Sequence, residues 1–164
     1  GDAVKRSEKY IGSDDFLVHA GDVTILSKSK HPVLRLIKTA KENPDAKVIL
    51  LCKQVKDTKR YGVPKMRKIS NSIFEVTAVE EKPKNPKSKF GILPLYYFKA
   101  EIFSSLQKIK PGKGGEFQLT DAIQEIIEGG NKVLAISLNK NEDEVDVGTV
   151  ESYRNAQEIS FRKA

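Results

Sequence analysis

Three short stretches carry residue types that do chemistry: Gly21-Asp22, Glu81-Lys82-Pro83 and Asp146-Val147-Gly148-Thr149. Asp22 ends an apolar run, and Asp146 lies between a strand pattern and a helix pattern. A carboxylate at a strand end suits a hard cation such as Mg2+, and it equally suits a turn. The local pattern by itself favours the turn at both positions. Lys82 is a point charge of the kind that holds a phosphate, and Glu81 is an acceptor for sugar hydroxyls. Pro83 disfavours the helical region for Lys82 and predicts an extended conformation there. Without further context, Glu80-Glu81-Lys82 also reads as an exposed ion pair in a charged loop.

Other chemistries are excluded or unsupported. One cysteine, Cys52, rules out an intrachain disulfide and any multi-cysteine zinc site. It lies in an apolar run and reads as a small core residue. Two histidines, His19 and His31, are too few for a histidine-rich metal centre. No Ser-His-Asp spacing is recognisable. Pro111-Gly112-Lys113-Gly114-Gly115 lacks the Lys-Ser/Thr ending of a phosphate loop and reads as a flexible connection.

The elements that must position these groups follow from periodicity. Ala3, Val4, Ser7, Tyr10 and Ile11 share a helical face, predicting a helix over 3–11. A buried strand is expected at 16–20. Pro32 opens a helix that turns Leu34, Ile37 and Ala40 inward and stops at Asn43-Pro44. Residues 47–53 form an apolar run typical of a strand covered on both faces. A strand pair is predicted over 61–70 and 73–80, joined at Asn71-Ser72. Further strands are predicted at 92–98 and 132–138, and a helix at 100–109. Another helix is capped by Thr120, buries Ala122, Ile123, Ile126 and Ile127, and is stopped by Gly129-Gly130. Residues 139–144 read as a polar loop. Thr149 caps a last helix carrying Val150, Tyr153, Ala156 and Phe161. Strand–helix alternation with buried strands argues for an α/β fold, mostly parallel, with antiparallel pairing in the middle. Ligands in such folds sit beyond the carboxyl ends of strands.

The chain has 164 residues, 38% of them hydrophobic, with a formal net charge of +7. That is one domain with enough apolar content for a core. No stretch approaches the roughly 20 apolar residues of a membrane span. With one cysteine and no signal-peptide pattern, the expected location is a reducing cytoplasm. The lysines are dispersed, and aromatic residues do not interleave with them, so no nucleic-acid surface is expected.

The order of the motifs says more than any one of them. Phe16-Leu17-Val18-x-x-Gly21-Asp22 comes first, followed by Tyr61-Gly62-Val63, Val79-Glu80-Glu81-Lys82-Pro83 and Leu95-Tyr96-Tyr97-Phe98. Then come Gly115-Glu116-Phe117-Gln118-Leu119-Thr120-Asp121-Ala122-Ile123 and Asp146-Val147-Gly148-Thr149-x-x-Ser152-Tyr153. This series resembles the sugar-1-phosphate nucleotidyltransferases, in particular the glucose-1-phosphate uridylyl- and thymidylyltransferases. The resemblance runs from Gly1 to about Ala156.

The resemblance implies a Rossmann-like nucleotidyltransferase fold with a mixed, mostly parallel sheet. It implies transfer of a nucleotidyl group from UTP or dTTP to glucose-1-phosphate, with release of pyrophosphate. Asp22 and Asp146 would hold Mg2+, and Lys82 would bind the sugar phosphate. Glu81 would meet the sugar hydroxyls, and Gly62 would let the sugar approach the backbone. Ile92 and Tyr96 would line the sugar pocket, and Gly1 would lie near the nucleotide base. Gly114 stands where thymidylyltransferases often carry Arg, which leans toward the uridylyl type. Pro94 replaces a usual small residue in the pocket wall.

The family's N-terminal Gly-rich segment has no counterpart. The expectation is therefore a single partial domain over 1–164, truncated at its N-terminus and inactive alone. A sheet lacking its first strand exposes an edge, so association with a second copy or a missing chain is also expected. The competing expectation is a noncatalytic sugar-phosphate-binding or regulatory module of the same fold.

Overall fold

A computed structural model describes residues 1–28, 30–112 and 115–163. The helices are α1 (Asp2–Arg6), α2 (Glu8–Ile11), α3 (Pro32–Glu42), α4 (Ile102–Lys108), α5 (Leu119–Glu128) and α6 (Val150–Lys163). The strands are β1 (Phe16–His19), β2 (Val23–Ser27), β3 (Ala46–Gln54), β4 (Gly62–Lys68), β5 (Ile73–Glu81), β6 (Phe90–Phe98), β7 (Lys132–Ser137) and β8 (Glu142–Asp146).

The main sheet has six strands in the order β1-β6-β3-β7-β5-β4. Its centre is β3, whose residues alternate between two cores as a period-2 strand must. Val48, Leu50 and Cys52 face one way, onto Ile102 and Leu106 of α4 and Ile123 and Ile126 of α5. Ile49 and Leu51 face the other way, toward Leu36 and Ala40 of α3. The α/β class and the expected double cover of this strand are thus both observed. Burial pushes the Cys52 thiol pKa well up, which makes it an inert core group.

The sheet is mixed, but the expected preponderance of parallel pairing is not found. Among the described residues only β3 and β7 pair in parallel; the other neighbours in this sheet are antiparallel. For β4 and β5 the reason is connectivity: a short turn joins them directly as a hairpin, which makes them antiparallel.

A second, two-stranded sheet pairs β2 with β8. The sequence pattern predicts neither strand and reads as a polar loop over 139–144. The sequence Glu142-Asp143-Glu144-Val145-Asp146 hides the strand, because its inward carboxylates are neutralised by cations far away in sequence. Arg35 reaches Glu142 at 2.5 Å, and Lys53 pairs with Glu144. Ile25 of β2 packs into the α3-side core, and Val145 is buried.

Three local expectations change. The N-terminal helix breaks at Ser7, whose hydroxyl donates to the Val4 carbonyl at 2.7 Å, and Tyr10 is 80% exposed. On α3 the buried face carries Leu36, Thr39 and Ala40, leaving Leu34 outward. On α6 only Ala156 is buried, because the helix meets β8 along a short contact; Val150, Tyr153 and Phe161 stay exposed. Thr149 does cap that helix, accepting from Ser152 N at 3.1 Å.

Candidate active site

One cleft, about 740 Å³ in volume, opens beside the ends of β1, β5 and β8 and along the middle of β6. It is lined by Asp22, Gly62, Glu81, Lys82, Ile92, Tyr96, Asp146 and Gly1, so these eight residues, distant in sequence, face the same space. Arg60, Tyr61, Pro94, Glu116, Gln118, Thr120 and Glu144 line it too, and nothing in the local sequence around Arg60, Gln118 or Glu144 marks a separate role for them. Pro94 forms part of the wall, as expected. Lys113 and Gly114, in the Gly-rich loop, lie outside the described residues.

The two aspartates come together through the β2–β8 ribbon. Val23 stands opposite Asp146, and Val147 N donates to the Asp22 carbonyl at 2.8 Å. Ala20 N donates to the Pro94 carbonyl at 3.0 Å, fixing the segment that delivers Asp22. Gly148 N donates to Asp146 Oδ1 at 2.6 Å, and Ser152 Oγ donates to the same oxygen at 3.3 Å. A Cβ on Gly148 would lie 3.1 Å from Asp146 Oδ1 and 3.2 Å from Asp22 Oδ2. The missing Cβ thus leaves a cradle between two carboxylates, and a small hard cation fits that donor set. Among the described residues no group of three or more metal-ligating side chains converges. Two carboxylates alone leave the remaining coordination positions to phosphate oxygens and water.

The Glu81–Lys82 side of the cleft is built from a β-hairpin and the start of α5. Gly62 pairs with Glu81 across β4 and β5. Thr120 was expected to cap α5, but Gln118 stands at the cap, and the Thr120 hydroxyl donates to Glu81 Oε2 at 3.1 Å. A Cβ on Gly62 would lie 2.6 Å from Thr120 Cγ2. Glycine is therefore required there first by the close approach of α5. Glu81 Oε1 lies 3.4 Å from Lys82 Nζ.

Lys82 is not extended. Its φ is +44°, the only positive value at a non-glycine among the described residues. Lys82 N donates to the Tyr61 carbonyl at 3.1 Å, and this bond holds the chain in the turn against the preference set by Pro83. Such strain, of order 1–3 kcal/mol, concentrates at functional positions.

On β6, Ile92, Pro94 and Tyr96 share a face, as alternate strand residues do. Burial, with Glu81 and Cys52 nearby, raises the Tyr96 phenol pKa above its usual range, so it stays a neutral donor. At the far end of the cleft, a Cβ on Gly1 would collide with the Phe117 carbonyl oxygen at 2.2 Å. Partial burial lowers the pKa of the Gly1 amine, with Asp2 and Glu116 opposing.

Comparison with known proteins agrees with this architecture. The model of the nucleotidyl transferase family matches residues 1–161. The chain is 30% identical over 128 residues to a glucose-1-phosphate thymidylyltransferase of Streptomyces antibioticus, covering 78% of this chain and 34% of that protein. It is 30% identical over 140 residues to a UTP–glucose-1-phosphate uridylyltransferase of Mycoplasma pneumoniae, covering 82% of this chain and 47% of the relative. A crystal structure of UDP-glucose pyrophosphorylase complexed with UDP-glucose superposes with a TM-score of 0.87 at 26% identity, over 99% of this chain and 62% of the other. The fold is the Rossmann-like α/β fold of these structural neighbours, and the chain belongs to the nucleotidyl transferase family. It spans a third to a half of the length of these two curated relatives.

Proposed function

We propose that the chain carries the sugar-phosphate and cation side of an enzyme that transfers a nucleotidyl group from UTP or dTTP to glucose-1-phosphate. The carrying observation is that Glu81-Lys82 and Asp22/Asp146, distant in sequence, line one cleft. In the reaction, a phosphate oxygen of the sugar attacks the α-phosphorus of the nucleotide. The bond from that phosphorus to the β-phosphate breaks, and pyrophosphate leaves. The protein's part is positioning and charge neutralisation. Lys82 holds the sugar phosphate. Glu81, fixed by Thr120, accepts from sugar hydroxyls, and Ile92 and Tyr96 form the wall behind the ring. Asp22 and Asp146 hold Mg2+, which supplies charge neutralisation on the phosphates when bound.

The chain alone is proposed to bind sugar phosphate without turning over. Among the described lining residues, the cations are Arg60 and Lys82, against Asp22, Glu81, Glu116 and Asp146, with Glu144 neutralised by Lys53. That balance suits a sugar monophosphate with a dication better than a triphosphate. The setting proposed is a reducing cytoplasm. Calorimetry with glucose-1-phosphate and with UTP–Mg2+, beside a pyrophosphate-release assay, tests the reading. Binding of the sugar phosphate with no pyrophosphate release is expected. No heat with glucose-1-phosphate overturns the assignment, and turnover by the chain alone overturns its inactivity.

A further inference from the structure

Glu142, Glu144 and Asp146 alternate along β8 and therefore share one face, opposite Ser27, Ile25 and Val23 of β2. That face turns toward the main sheet, where Ile25 is buried in the α3-side core. Three carboxylates in a row on an inward face repel one another and lose solvation. Two of them are answered by cations from the body of the fold. Arg35 of α3 takes Glu142 and also donates to the Ser137 carbonyl at 3.0 Å. Lys53 of β3 takes Glu144, with the Tyr61 ring 5.9 Å from its ammonium. The third, Asp146, has no ion-pair partner among the described residues and stands with Asp22 in the cleft.

Glu142 and Glu144 differ in one respect. Glu142 is remote from the cleft, whereas Glu144 lines it, with its side chain 7% exposed. We propose that Lys53 is the charge-balancing residue of the cleft: by neutralising Glu144 it sets the field that a dication at Asp22/Asp146 and an anion at Lys82 both experience. This rests on the ligand reading given under Proposed function. Lys53 touches neither ligand and acts through Glu144. Burial, the largest single effect, works against its ammonium, but the bond to Glu144, that carboxylate's charge and Tyr61 together outweigh it and leave its pKa above that of an ordinary lysine.

A charge-balancing role has a signature that a structural brace lacks. Glu144→Gln leaves the Lys53 ammonium uncompensated beside the cleft. Mn2+, used as the probe cation, then binds about tenfold more weakly, while glucose-1-phosphate binds more tightly. A brace that merely holds β8 would weaken both ligands together. Lys53→Met/Glu144→Met removes both charges, and apolar replacement of a buried pair is commonly tolerated by the fold. This double variant is expected to bind both ligands within about twofold of the parent chain. Titration of the three proteins, with Mn2+ followed by electron paramagnetic resonance and glucose-1-phosphate by calorimetry, decides the matter. Opposite shifts in Glu144→Gln, with recovery in the double variant, support the role. Shifts of the same sign, no shift, or a double variant that fails to recover overturns it while leaving the ligand reading intact. A parent chain that binds neither probe overturns both.

Discussion

Asp22 and Asp146 meet across the place where Gly148 has no side chain, each presenting a carboxylate oxygen little more than 3 Å from the missing Cβ. One backbone bond, from Val147 N to the Asp22 carbonyl, ties the two segments together at this point. The gap is a structural property of glycine, independent of any bound ligand.

Gly148→Ala therefore places a methyl group in the cradle. The fold has room to shift slightly at this exposed turn, so the melting temperature should move little. Mn2+ affinity should fall about tenfold or more, as expected when a ligand's seat is displaced by a fraction of an ångström. Unchanged Mn2+ binding would remove this pair from the cation site.

Lys82 combines charge with backbone strain, and the two separate by substitution. Lys82→Gly relieves the positive φ and should stabilise the chain by about 1 kcal/mol in urea denaturation. Lys82→Met keeps the strain and should leave stability near that of the parent. Both should abolish glucose-1-phosphate binding in calorimetry. A Lys82→Met variant with parental affinity would dissociate the charge from the phosphate.

Gly62→Ala drives a methyl group against Thr120 Cγ2, at 2.6 Å. The expected cost is about 1–3 kcal/mol of stability. Thr120→Ser deletes that methyl but keeps the hydroxyl on Glu81. Adding it to Gly62→Ala should recover most of the loss in a double-mutant cycle. Additive losses would locate the crowding elsewhere.

Two phenols should titrate late. Burial, aided by the 2.6 Å bond to Asp15, pushes the Tyr97 pKa up to about 12, and burial raises that of Tyr96 as well. A raised folded pKa favours the protonated form. The Tyr97 contribution to stability is thus complete below about pH 10, the ordinary phenol value, and is lost as pH rises through its folded value. Absorbance titration of tyrosinate should show a high-pH step that shrinks in Tyr97→Phe. A step unchanged by that substitution would contradict the assignment.

The candidate site is legible in the sequence because its parts are local motifs. Glu81-Lys82-Pro83 and Asp146-Val147-Gly148 each keep their chemistry within a few residues, and their order along the chain identified the family. The β2–β8 ribbon was illegible for the opposite reason. Glu142 and Glu144 look like loop residues until Arg35 and Lys53, more than 90 positions earlier, are seen to neutralise them. Thr120 misled similarly: a Thr before a helix reads as a cap, but its partner Glu81 comes from another strand. The apolar spacing of α6 predicted burial that the short β8 contact does not supply.

The β2–β8 pairing also sets when the site comes into being. Ser27 Oγ reaches Glu142 Oε1 across a separation of 115 residues, so the ribbon closes one of the longest loops in the chain. Contacts of such separation form late, after the entropy of the loop has been lost. The Glu81–Lys82 turn can be in place as soon as its hairpin emerges during synthesis, but the aspartate cradle must wait for β8. If the proposed cation site holds, cation binding would report completed folding, because a nascent chain ending before Asp146 has Asp22 but lacks its partner carboxylate.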